Sequence, residues 1–404
     1  MSIRKRAWGE GLSRREAWIV DYSDQGGKRR HKTFKRKRDA ETFAATTHVQ
    51  IGQGTHVADS ASVTVKEAGA LWLASSRAAG LEESTIDMYE QHLRLHIVPF
   101  IGRDKLSRLS APSIRAFRDR LHNEGRSPAM VRGIVGSLGA ILADAQERGL
   151  VVRNAVRELR SRRRRGGGRQ ERHNGKLKVG IDIPTPDEVR TLLAAAQGRW
   201  RPLLLVAVFS GLRASELRGL RWDDVDLKSG ELHVRQRADK YNHMGRPKSA
   251  AGERTVPLPP TVVKELREWK LVSPMKDGKL GLVFPNGAGN VENHVNIAQR
   301  GLIPTMLAAG LTKPVLDERG NPKRDPKGKP IVQAKYTGLH TLRHFFASWC
   351  INRKEDGGLG LPAKVVQERL GHASIVMTMD TYGHLFPRGD DTAELAAASE
   401  RLLG

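Results

Sequence analysis

The feature that most constrains this fold is a stretch that cannot pack. Arg157-Glu158-Leu159-Arg160-Ser161-Arg162-Arg163-Arg164-Arg165 runs directly into Gly166-Gly167-Gly168. Neighbouring guanidinium groups cannot pack together, and consecutive glycines confer flexibility. Residues 161–180 therefore read as a basic Gly/Arg-rich linker, and the 404 residues divide into separate bodies on either side of it.

Those arginines belong to a wider excess. Against 44 acidic residues stand 69 Lys and Arg, a net charge of +25. Such a chain repels itself unless a polyanion offsets the charge, which points to nucleic acid ahead of an anionic membrane surface. Aromatic residues are only 5%, too few for a platform of stacked bases. No run approaches the ~20 apolar residues of a membrane span. The basic start Met1-Ser2-Ile3-Arg4-Lys5-Arg6 has no apolar stretch behind it, so a secretory signal is not expected. The single cysteine, Cys350, allows no intrachain disulfide and reads as a small buried hydrophobe. A cytoplasmic protein is the expectation. Arg162, Arg163, Arg164 and Arg165 then have two readings of equal weight: contact along a nucleic-acid backbone, or a solvated linker.

Ahead of the linker the chain has two parts. Ala17–Tyr22 reads as a strand, Ser23–Gly27 as a turn, and Lys28–Phe34 as a returning strand. A helix follows with Asp39 as its N-cap. Lys28, Arg29, Arg30, Lys32, Lys35, Arg36, Lys37 and Arg38 form a run without an acid. A two-stranded basic ribbon fits a DNA major groove; a solvated charged face is the alternative. Residues 63–160 are all helical in pattern. Thr64 with Glu67 makes a capping box, and Ser84, Ser110 and Ser127 stand at three further helix starts. Pro99 and Gly102 end the second helical region. Ile114, Phe117 and Leu121 repeat at helical spacing, as do Val131, Ile134, Leu138, Ile141 and Leu142.

Beyond the linker, Thr185-Pro186-Asp187-Glu188 is another capped helix start, and Pro202–Phe209 is a buried apolar helix. Glu231–Arg235 and Arg254–Leu258 read as strands around a polar turn that holds Lys240 and Lys248. Residues 311–336 read as an inserted loop or short hairpin. Then come His340-Thr341-Leu342-Arg343-His344, Leu370-Gly371-His372 and Tyr382-Gly383-His384, with Gly211-Leu212-Arg213-Ala214-Ser215-Glu216-Leu217 far upstream.

Two guanidiniums, several imidazoles and a phenol suit attack on a phosphodiester. The arginines neutralise phosphate oxygens that gain charge during attack. A phenol of pKa about 10 needs cationic neighbours or a base, and His340 or His372 supplies either. A lysine on a mobile turn can protonate a leaving alkoxide. His340 and His344, four apart, raise the question of zinc. Thr341 stands where the glutamate of a zinc-protease helix belongs, so no metal is expected, and with no P-loop pattern in the chain no other cofactor is expected either. His344 reads as a packing or supporting residue. Gly371 reads as a helix C-terminal residue, with His372 just beyond, and Tyr382 reads as sitting on a segment able to move.

In order and spacing these motifs, with Gly245-Arg246-Pro247-Lys248, resemble those of the tyrosine recombinases of the phage integrase family, over residues 181–388. The resemblance implies a multidomain, mainly α chain. Residues 1–60 would be an arm-type DNA-binding domain, a small β-hairpin or sheet plus helix. Residues 63–160 would be an all-α, SAM-like core-binding domain. Residues 181–404 would be a mixed, mostly helical catalytic domain of the DNA breaking-rejoining type, ending in a tail helix. It further implies that Arg213 and Arg343 hold the phosphate and that His340 and His372 flank it. Lys248 would protonate the leaving oxygen, with Lys240 the competing candidate. Tyr382 would be the nucleophile, supported by Glu216. The implied partners are double-stranded DNA with core and arm attachment sites, a homotetramer on that DNA, a host DNA-bending protein and an excisionase, and no membrane. An integrase of a phage or integrative element leads this reading. A resolvase or transposon recombinase, or a DNA-binding protein without catalysis, is the alternative.

Overall fold

The computed structural model describes residues 1–8, 15–24, 26–52, 62–159, 176–274, 280–317, 319–387 and 391–404. Two compact units emerge, residues 1–171 and 172–404. Arg162, Arg163, Arg164 and Arg165 lie outside the described residues.

The first unit opens with three antiparallel strands, β1 (Ser2–Trp8), β2 (Arg15–Ser23) and β3 (Arg29–Phe34), in that order across the sheet. The hairpin expected from sequence is β2–β3, with Val20 opposite Lys32 and Tyr22 opposite Arg30. β1 is an addition: it is almost wholly exposed, so no apolar alternation marks it. Helix α1 (Lys37–Gly52) packs Ala40 and Ala44 against Val20 and Tyr22. It starts before Asp39, which therefore lies in the first turn and is not the N-cap.

The strand alternation sorts the basic run. Arg30 and Lys32 lean inward, Arg30 Nε donating to Asp24 at 2.9 Å and Lys32 Nζ lying 4.5 Å from the Phe43 ring centroid. Lys37 Nζ sits 5.6 Å over Trp18. Lys28, Arg29, Lys35, Arg36 and Arg38 are exposed.

The helical part has its own core. It comprises α2 (Val65–Ala78), α3 (Glu83–Gln91), α4 (Val98–Ile101), α5 (Ala111–Asn123) and α6 (Pro128–Glu147). Thr64 and Glu67 form the reciprocal capping box read from sequence, and Ser110 and Ser127 cap α5 and α6. A π-helical turn, His92–Ile97, joins α3 to α4. Pro99 does not end the helix: the helical run continues through it to Ile101, with Gly102 as the C-cap. At 20 residues and a mean hydropathy of 1.2, α6 is long and apolar enough to cross a bilayer by length and composition. Its apolar stripe is instead core, with Ile134, Leu138, Ile141 and Leu142 fully buried.

The second unit is built around α8 (Trp200–Ser210), preceded by α7 (Pro186–Ala195) and followed by α9 (Ala214–Gly219). Leu203, Leu204, Val206 and Val208 are buried on nearly all sides of α8, as its continuous apolar run requires. A small antiparallel sheet joins β4 (Val225–Asp226), β5 (Glu231–Val234) and, across a hairpin of β6 (Arg237–Ala238) and β7 (Met244–Gly245), β8 (Arg254–Pro257). Helices α10 (Pro260–Val272), α11 (His294–Asn296) and α12 (Ile303–Ala308) follow. The segment expected as an insertion is a hairpin of β9 (Thr312–Pro314) and β10 (Val332–Ala334). The chain then runs through α13 (His340–Ile351), α14 (Ala363–Leu370), α15 (Ile375–Tyr382) and α16 (Asp391–Leu403). Cys350 is fully buried in α13, and burial pushes its thiol up to about 12, as expected of an inert hydrophobe.

Candidate active site

Several helix ends and one strand meet where the motifs converge. Helix α8 ends at Gly211 and α14 at Gly371, each in the left-handed conformation, with φ of 62° and 63°. Both turns are too tight for a side chain: a Cβ on Gly211 would lie 2.2 Å from Phe346, and one on Gly371 would lie 2.9 Å from the Ala251 carbonyl oxygen.

Those turns aim carbonyl oxygens at the arginines. Arg343, on the first turn of α13 and 2% exposed, donates from Nη1 to Gly211 O and from Nη2 to Leu370 O, both at 2.6 Å. Arg213 donates from Nη2 to Gly371 O at 3.1 Å. Uncapped carbonyls at a helix C-terminus carry partial negative charge and are natural partners for guanidinium groups. Burial, with Arg213 beside it, pushes Arg343 down to about 9, still cationic at neutral pH.

Glu216 is buried and fully occupied. It accepts from the Arg213 backbone N–H at 2.9 Å and from Arg213 Nη1 at 2.7 Å. Arg254 Nη2 donates to it at 2.9 Å. Burial would raise this carboxyl, yet Arg254 and Arg213 outweigh it and hold it below the ordinary range. Arg254, on β8, is a site residue that the sequence reading misses. It also donates from Nε to Arg369 O at 2.7 Å and from Nη1 to Gly252 O at 3.0 Å. One buried guanidinium thus ties together Glu216, the end of α14 and the loop before β8. No signal in the sequence isolates it, because its partners lie 38 and 115 residues away.

The imidazoles surround the phenol. Tyr382, at the end of α15, is 1% exposed among Val256, Phe346, Val366 and Leu370, a more enclosed position than a freely moving segment provides. His372 stacks on it, with centroids 6.3 Å apart and planes 6° from parallel. Thr378 Oγ1 lies 2.9 Å from His372 Nδ1, and Gln367 Nε2 donates to the His372 carbonyl at 2.9 Å, fixing the ring. His344, read from sequence as a packing or supporting residue, has its Nδ1 2.8 Å from Tyr382 Oη. His340 packs edge-on against His344, centroids 4.5 Å apart. Burial first, then the neighbouring arginines, lowers His340 and pushes His372 down to about 4. Burial, His340 and Arg343 push His344 down to about 4. Burial pushes the Tyr382 phenol up to about 12 against the pull of Arg343 and Arg213.

The structure brings Arg213, Glu216, Arg343, His372 and Tyr382 together, with His340 at the edge of the cluster. Both candidate lysines lie on the connection between β6 and β8. Lys240 lies between β6 and β7, its Nζ 4.7 Å over Tyr241. Lys248 is exposed on the bend after β7, just before the Ala250–Gly252 turn that abuts Gly371. Among the described residues no cluster of His, Cys, Asp and Glu has a metal-binding arrangement. The pocket can neutralise a phosphate with fixed cations and offers a phenol with an adjacent proton acceptor.

The chain is similar to several known proteins. The phage integrase family matches residues 184–388, just over half of the chain. A tyrosine recombinase XerC-like protein of Caldanaerobacter subterraneus is 26% identical over 385 residues, 90% of each chain. The ICEBs1 integrase of Bacillus subtilis is 23% identical over 72% of this chain and 71% of its own. Among solved structures, the Tn1549 transposon integrase in complex with transposon right end DNA aligns with a TM-score of 0.62 at 19% identity, over 85% of this chain and all of that one. A lambda integrase tetramer bound to a Holliday junction aligns at 0.54 and 18% identity, over 93% and 94%. The chain therefore belongs to the phage integrase family and is a tyrosine-type site-specific recombinase.

Proposed function

We propose that this protein cuts and rejoins duplex DNA at attachment sites to integrate or excise a mobile element. Tyr382 attacks the scissile phosphorus to form a 3′-phosphotyrosyl bond, and the 5′-oxygen departs as a hydroxyl. Arg213 and Arg343 hold the non-bridging oxygens, and Glu216 fixes Arg213. His340 and His372 flank the phosphate. The observation that carries this is the buried Arg343, held by two helix-end carbonyls beside Tyr382. A guanidinium is this deeply desolvated at a cost, and an arriving phosphodiester offsets it. Lys248 is assigned the proton donation, because its loop abuts the Gly371 turn while Lys240 sits in the turn between β6 and β7.

The domain borders proposed are residues 1–60 for arm-type DNA, 63–160 for core DNA, 161–180 for the linker and 181–404 for catalysis. The exposed Lys28, Arg29, Lys35, Arg36 and Arg38 are the arm-DNA candidates. Four protomers act in turn through a Holliday junction, with a bending protein and an excisionase setting direction. Leu395, Leu402 and Leu403 of α16 are 67%, 85% and 86% exposed, which supports docking of this helix on a neighbouring protomer.

The test uses nicked attachment-site DNA from beside the gene, so that the short end diffuses away after cleavage. A denaturant-stable adduct that Tyr382→Phe loses is the expected result. Tight specific binding to that DNA with no adduct would overturn it. Deleting residues after Arg388 is expected to weaken junction assembly; unchanged assembly and recombination would remove the docking role.

A further inference from the structure

The geometry points to His344 as the group that takes the phenolic proton when Tyr382 attacks, and that returns it when the strand is rejoined. This deepens the reading above and rests on Tyr382 being the nucleophile.

The three imidazoles near Tyr382 are not equivalent. His372 has its Nδ1 engaged by Thr378 Oγ1 at 2.9 Å and presents a ring face to the tyrosine. His340 meets the ring of His344 edge-on. Only His344, among the described residues, places a ring nitrogen on the phenolic oxygen, at 2.8 Å. Both partners are held: His344 on α13, Tyr382 by its buried ring at the end of α15. A base must first be within hydrogen-bond reach of the proton it removes.

The charged groups facing His344 are His340 and Arg343 on its own helix, Tyr382 on α15, and Asp182 ahead of α7. Its low pKa keeps the ring neutral at physiological pH, so Nδ1 accepts from the Tyr382 O–H. With Arg343 close by, an imidazolium is unfavourable until a negative phosphodiester enters. Proton transfer is thereby tied to substrate seating.

The step balances. The Tyr382 oxygen–phosphorus bond forms as the phosphorus–5′-oxygen bond breaks. The phenolic proton passes to His344 Nδ1, and the 5′-oxygen takes a proton from the lysine assigned above. Rejoining runs each transfer backwards.

The experiment measures adduct formation on nicked attachment-site DNA by the full chain, from pH 6.5 to 9. His344→Asn is the decisive variant: its amide oxygen can replace Nδ1 as a hydrogen-bond acceptor but cannot carry the proton. The expected result is a loss on the order of 10²-fold at neutral pH, the lower end of what general base catalysis contributes. The deficit narrows about tenfold per pH unit as hydroxide generates the phenolate, with DNA affinity unchanged. His344→Ala is expected to regain rate with added imidazole. Wild-type rates in His344→Asn, a loss independent of pH, or no response of His344→Ala to imidazole would each overturn the inference. A wild-type protein that forms no adduct, or a Tyr382→Phe protein that does, would instead overturn the underlying reading.

Discussion

The candidate active site and the N-terminal sheet handle the same excess of positive charge in opposite ways. In the pocket, Arg343 and Arg254 are buried and each guanidinium is committed to a carbonyl or carboxylate. On the sheet unit, Arg29, Lys35, Arg36 and Arg38 stand exposed in water. Burial makes a charge expensive and directional; exposure makes it cheap and additive. The pocket should therefore respond sharply to single changes, and the sheet only in proportion to the number of charges removed.

The sharpest break is at Glu216. Glu216→Ala leaves Arg254 buried without its counter-charge, at a cost of about 3–5 kcal/mol. Thermal unfolding of the full chain checks it, and a loss under about 1 kcal/mol would mean that the carbonyl partners alone hold Arg254. Gly371→Ala comes next. It forces a Cβ into the left-handed turn and against the Ala251 carbonyl, for about 2 kcal/mol, and moves His372 and two carbonyls that orient arginines. Adduct formation should fall far more than DNA affinity.

A smaller effect follows from pH. His344 and His372 are held near 4 when folded, against 6.5 unfolded. Unfolded chains therefore bind more protons between those values, and stability falls as pH drops from about 6.5 to 4. The slope reaches at most about 1.4 kcal/mol per pH unit for each histidine. A second unit whose unfolding midpoint is flat over that window would show that neither ring is kept neutral.

The smallest effect is predicted for Arg29→Ala and Arg36→Ala. Stability should change by less than about 0.5 kcal/mol. Affinity for arm DNA should drop uniformly, and the slope of log affinity against log salt should shrink by about one for each phosphate left without its arginine. His344→Asn should leave that slope untouched. An equal slope change in both would erase the contrast between the two regions.

How much is legible in the sequence follows the range of each interaction. Thr64 with Glu67 and Thr185 with Glu188 are three residues apart, and both capping boxes are present. Gly371 is readable as a helix terminator from local pattern alone. The spacing of His340 and Arg343 puts them on one helix, α13. The interactions that complete the site are long-range. Arg254 reaches Glu216 and Arg369 across the fold, and His344 meets Tyr382 38 residues on. Strand β1 is invisible to patterning because Arg4, Lys5 and Arg6 give it no apolar face, and pairing with β2 supplies the reason it is a strand.

Cys350 has a practical corollary. The only thiol in the chain is sealed in α13 and protonated at any usual labelling pH, so maleimides will pass it by in the native protein. A cysteine placed at exposed Trp8 and another at exposed Leu271 would be the sole reactive positions. A donor and acceptor dye there would report the separation of the two units, molecule by molecule, before and after a duplex arrives.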